Sequence, residues 1–250
     1  MLWLWSVATG ESRSFRGKFL AEDLAFSPDG KALVAVGIDV DGLYVLVWDP
    51  QTGFTRTLRN RADPLRESDL RNPSLSMAFA PDGSTLITSS EDDVVRLWDM
   101  RTGDSQRLPN RRAFALSKDG RSLATVSTSN AVSIRELESG REIALAASSA
   151  MVSRLAFSPD GKWLALACED GGIRLWNLTT REMTTLSGHA APVSRAVFSP
   201  DSRTLASFGD DRTLRLWDVM SGEGRALRGH AEAVRTVDFS PDGQTIAYGA

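Results

Sequence analysis

Short runs rich in apolar and β-branched residues alternate with polar clusters along the chain, and the same two phrases keep returning. One ends on tryptophan and a turn: LWSVATG closing at Gly10, VWDPQTG at Gly53, LWDMRTG at Gly103, LWNLTTR at Arg181 and LWDVMSG at Gly222. The other is FSPDG at Phe26, with related copies at Phe79, Leu116, Phe157, Phe198 and Phe239. Within one copy, VSRAVFS from Val193, TLASFG from Thr204, TLRLWDV from Thr213 and GRALRG from Gly224 are bounded by turn residues and read as four strands, a to d. Pro-Asp-Gly supplies the a-to-b turn: proline presets one torsion, aspartate caps locally, and glycine accepts positive φ. No helical periodicity competes.

The copies measure their own repeat. Phe79 to Trp98, Leu116 to Arg135, Phe157 to Trp176 and Phe198 to Trp217 are each 19 residues, and Phe157, Phe198 and Phe239 are 41 apart. Such a period marks stacked four-stranded sheets. A sheet with apolar residues on both faces stays in water only if neighbours cover both, and radial stacking achieves this. Gly188-His189, Ser207, Asp211 and Trp217-Asp218 together resemble a complete WD40 repeat. The resemblance implies an all-β, six-bladed β-propeller of four-stranded antiparallel blades. It also implies a hydrogen-bonded structural tetrad of His189, Ser207, Asp211 and Trp217. Partial tetrads remain at Thr88, Asp92 and Trp98, and at Asp170 and Trp176, where Ser148 and Leu166 hold the other positions. His230 opens the last copy, with Tyr248 at its hydroxyl position. The third copy is the most degenerate, with Arg107 for histidine, Ser129 for aspartate and Arg135 for tryptophan, and blade three is expected to be the weakest.

The two chain ends complement each other. The last copy supplies strands a and b, VRTVDFS and QTIAYGA, while Leu2 to Val7 match strand c and Glu11 to Arg16 match strand d. Pairing them makes a sixth blade, so residues 1–250 are expected to form a single propeller that is monomeric if the ring closes. A segment of a longer array is the other reading.

Composition narrows the partners. A formal net charge of -3 gives no general attraction to nucleic acid or anionic lipid, so neither is expected. The lone Cys168 fits a reducing compartment and a buried apolar role. MLWLWSVATGE has no basic leader and only five apolar residues before Ser6, so a cytoplasmic protein is expected. Both histidines sit where the repeat already uses histidine, so a structural role is expected of them and no catalytic residue is assigned. Asp39-Val-Asp41-Gly42 lacks the third acidic ligand and distal glutamate of a calcium loop, so no metal or cofactor is expected. No G-x-S-x-G, H-E-x-x-H or Walker motif appears. Trp3 and Trp163 lie outside the repeat's tryptophan slot and read as packing residues.

Departures from the repeat point to binding, because loops on a rigid scaffold carry specificity. Phe26 to Trp48 is 22 residues, which lengthens the b-to-c connection around Ile38 to Gly42. Trp48 to Phe79 is 31 residues, nine more than its counterparts, placing an insertion at Arg59 to Pro73 that carries Arg59, Arg61, Arg66 and Arg71. In the family this chain resembles, partner-facing positions lie six and four residues before the strand-a phenylalanine and just before the tetrad aspartate. Here they are Leu20, Glu22, Pro73, Leu75, Glu91, Asn110, Arg112, Met151, Ser153, Glu169, Pro192, Ser194, Asp210, Ala233 and Arg235. The expected function is a non-catalytic scaffold binding a protein or peptide with basic and apolar side chains through these top-face loops. The alternative is a propeller enzyme, or a ligand-binding propeller, using the central channel.

Overall fold

The computed structural model describes residues 2–15, 21–39, 42–59, 76–90, 92–145, 148–227 and 233–249. Among them there is no helix; every regular element is a strand, and so none is a helix long and apolar enough to cross a membrane. The chain divides into two compact halves, 1–112 and 113–250.

The first half holds a hairpin and two four-stranded antiparallel sheets. The hairpin pairs β1 (Leu2–Trp5) with β2 (Ser12–Phe15). Blade one is β3 (Ala21–Phe26), β4 (Leu33–Asp39), β5 (Gly42–Trp48) and β6 (Thr55–Arg59), in that spatial order. Blade two is β7 (Ser76–Phe79), β8 (Thr85–Ser90), β9 (Val94–Asp99) and β10 (Ser105–Pro109). Leu4 packs against the cluster of Leu33, Ala35, Tyr44, Leu46 and Trp48, and Arg13 donates to the Pro50 carbonyl at 2.8 Å, so the hairpin is seated on blade one. The lengthened b-to-c connection of blade one falls between β4 and β5, where residues 40 and 41 lie outside the described residues.

Three complete sheets belong to the rest of the chain. Blade three is β11 (Arg111–Leu116), β12 (Ser122–Ser127), β13 (Val132–Glu136) and β14 (Glu142–Ala144); the boundary between the halves falls inside β11. Blade four is β15 (Val152–Phe157), β16 (Trp163–Cys168), β17 (Ile173–Asn177) and β18 (Glu182–Leu186). Blade five is β19 (Val193–Phe198), β20 (Thr204–Gly209), β21 (Leu214–Asp218) and β22 (Gly224–Leu227). A second hairpin pairs β23 (Thr236–Phe239) with β24 (Ile246–Gly249). The four-stranded antiparallel blades are therefore those read from the repeat.

β1–β2 and β23–β24 are two separate two-stranded sheets, and the expected pairing of N-terminal strands c and d with C-terminal strands a and b is not shown. No covalent b-to-c turn joins these strands, and their pairing must therefore bear the full entropy of bringing remote segments together.

Strand b explains why the sheets hold. In β8, β12, β16 and β20 the last five residues are all buried, because strand b lies second in the sheet and is covered on both faces. Each a-to-b turn is closed by its own side chains. Ser199 Oγ donates to Asp201 at 2.6 Å, and the Thr204 N–H donates back to Ser199 Oγ at 2.9 Å. Equivalent serine–aspartate pairs recur at Ser27–Asp29, Ser117–Asp119, Ser158–Asp160 and Ser240–Asp242. Within each sheet the a-to-b turn lies at one end, and the b-to-c turn and d-to-a connection lie at the other.

Candidate partner-binding rim

The d-to-a end is anchored in blade five by a chain of hydrogen bonds starting in its core. Trp217, 2% exposed, donates its indole N–H to Ser207 Oγ at 2.8 Å. Ser207 Oγ lies 2.8 Å from His189 Nε2, and His189 Nδ1 lies 2.9 Å from Asp211 Oδ2. Asp211 also accepts the Ala190 N–H at 2.9 Å, which ties the connection before β19 to the b-to-c turn. Burial pushes His189 below the ordinary imidazole pKa despite the pull of Asp211. The Asp211 carboxyl is raised by burial, but the Ala190 and Thr213 N–H groups outweigh this and hold it below its ordinary value. A neutral His189 then donates from Nδ1 and accepts from Ser207 at Nε2, so every group in the chain is satisfied. Gly171 closes the other side of this connection: its φ is +81, and a Cβ there would lie 2.9 Å from the His189 carbonyl oxygen.

Blades two and four satisfy the aspartate differently. Trp98 donates to Thr88 at 3.0 Å, and Asp92 is bound by Arg96, four residues on and 1% exposed. Burial raises the Asp92 carboxyl, but the bonds from Arg96 and Ser90 prevail and hold it low. Arg174 grips Asp170 in the same way, and its guanidinium, as the main cause, lowers that carboxyl. In blade five the matching arginine, Arg215, lies instead over the Trp217 ring at 5.3 Å. In blade four Leu166 stands where Ser207 and Thr88 provide hydroxyls, so the buried Trp176 indole N–H finds no acceptor; Leu166 packs into the core instead. Cys168 is fully buried, and burial raises its thiol pKa.

The rim positions are set by backbone geometry. In β3, β15 and β19 the register shifts by one residue, leaving Glu22, Ser153 and Ser194 as bulges four residues before the phenylalanine. A bulge re-aims a side chain and bends the strand end. In the second half, the Glu169 N–H donates to the Met151 carbonyl at 2.9 Å, and the Asp210 N–H to that of Pro192 at 2.9 Å. Ser194 Oγ donates to Asp210 at 3.3 Å. Met151, Glu169, Ser194, Asp210, Ala233 and Arg235 are exposed at this end, with Ser153 and Pro192 half-buried. In the first half, Asn110 is exposed with a φ of 58°, Arg112 is half-buried, and the Arg59 guanidinium stacks 5.4 Å over the Tyr44 ring. Leu20, Arg61, Arg66, Arg71, Pro73, Leu75, Glu91 and His230 lie outside the described residues, and of Glu22 the backbone alone is described. Among the described residues no three His, Cys, Asp or Glu side chains are grouped to hold a metal ion.

Sequence reasoning missed Arg96 and Arg174. Their signal was present as an Asp-x-x-x-Arg spacing before each tryptophan, in DDVVRLW and DGGIRLW. The bulges carried no such signal.

Comparison with known proteins follows the same elements. The family model described as "WD domain, G-beta repeat" matches residues 71–99, 142–177, 180–218 and 223–250, more than half of the chain. Over 92 residues the chain is 35% identical to WD repeat-containing protein SL1-17 of Schistosoma mansoni, covering 37% of this chain and 26% of that protein. The chain thus aligns with about a quarter of the length of that curated relative. Repeating four-stranded sheets, a buried tryptophan bonded to a strand-b hydroxyl, and these matches lead to one conclusion: the chain belongs to the WD40-repeat family.

Proposed function

We propose that the protein is a non-catalytic scaffold whose d-to-a and b-to-c connections bind a protein or peptide partner with basic and apolar side chains. WD40 repeats generally mediate such protein–protein scaffolding. The observation that carries the finer reading is the pairing of a strand-a bulge with a backbone-locked b-to-c turn in blades four and five, where exposed Met151, Glu169, Ser194 and Asp210 stand on rigid strand ends. Acidic Glu169 beside apolar Met151, and acidic Asp210 beside Pro192 and Ser194, suit a basic-apolar peptide. Nucleic acid and membrane surfaces are not among the partners in this reading, and a cytoplasmic location accompanies it.

The reading treats residues 1–250 as one six-bladed domain, with the two hairpins as complementary halves of a blade, and therefore as a monomer. Deleting residues 1–16 then lowers the melting temperature and promotes self-association; an unchanged melting temperature and monomer state would overturn the single-ring reading. For the rim, an array of basic-apolar peptides is screened against the full chain, the Glu91→Ala/Glu169→Ala variant and a chain lacking residues 59–73. Binding that is lost in either altered chain supports the rim. Peptide binding unchanged in both removes it.

A further inference from the structure

We draw no further inference here: the strongest candidate, the groove between the β21–β22 edge of blade five and the β23–β24 hairpin, lined by Leu216, Gly224, Phe239 and Ile246, belongs to the single-ring reading already given, since Trp217 and Val219 fill the matching groove beside blade four and their sequence equivalents are Trp5 and Val7 of the N-terminal hairpin.

Discussion

Blades five and three build the same sheet with opposite side chains. Blade five ties Trp217, Ser207, His189 and Asp211 into one hydrogen-bonded chain. Blade three has Ser129 and Arg135 at the aspartate and tryptophan positions, Arg107 at the histidine position falls within β10 of blade two, and the remaining hydroxyl, Thr125, lies 3.2 Å from Ser133 instead. Strand b is nonetheless buried identically in both, in β12 and in β20. The contrast shows at the outer edge, where β14 is only three residues long and wholly exposed. The family model also passes over residues 100–141. Apolar strand b and the serine–aspartate turn therefore suffice to form a blade, while the tetrad fastens its outer strands and the connection that enters it.

The sharpest way to break this comparison is to remove the equivalent side chain from each blade. Trp217→Ala should destabilise by about 3–5 kcal/mol, as large core truncations do, whereas Arg135→Ala should stay within about 0.5 kcal/mol. Urea denaturation followed by hydrogen exchange on each blade separates the two, and similar losses would mean that Arg135 has taken over the tryptophan's work. Acid provides the next contrast. Because burial holds His189 below the ordinary value of 6.5, the unfolded chain takes up its proton first as pH falls. Stability is then full above that value and is lost between it and the lower folded-state pKa, by at most about 1.4 kcal/mol per pH unit. Exchange protection of residues 193–218 should fall between pH 7.5 and 5.5, while that of residues 111–136, which contain no histidine, should not; equal behaviour of the two segments would refute the assignment. The smallest effect is a gain. Arg135→Trp should stabilise blade three by about 1 kcal/mol, because Thr125 is placed to accept the indole N–H as Thr88 does for Trp98 at 3.0 Å. A lower melting temperature would show that blade three's outer half has closed around the arginine.

The blades were legible because strands here are short, two-faced and punctuated by turns that carry their own chemistry. Pro-Asp-Gly after Phe157 and the tryptophan at Trp176 each announce a strand end. Two kinds of feature escaped. A bulge such as Ser194 adds a residue without changing the apolar pattern around it. The Arg96–Asp92 pair was hidden because an arginine inside a strand reads as solvent-facing, yet Arg96 is 1% exposed. Closure was inferred from the matching ends, and the two hairpins stand as separate sheets.

The Asp92–Arg96 pair has a consequence for how this architecture can vary. In blade five the aspartate's partner is His189, a residue of the incoming connection, so that connection must keep the length that delivers an imidazole to Asp211. In blade two the partner comes from four residues downstream in the same hairpin, with Ser90 and the Val94 N–H beside it. The segment before β7 is the one lengthened by nine residues, from Trp48 to Phe79. An arginine supplied by the same hairpin relieves the preceding connection of having to deliver an imidazole, so the length of that connection can change without costing the aspartate its partner.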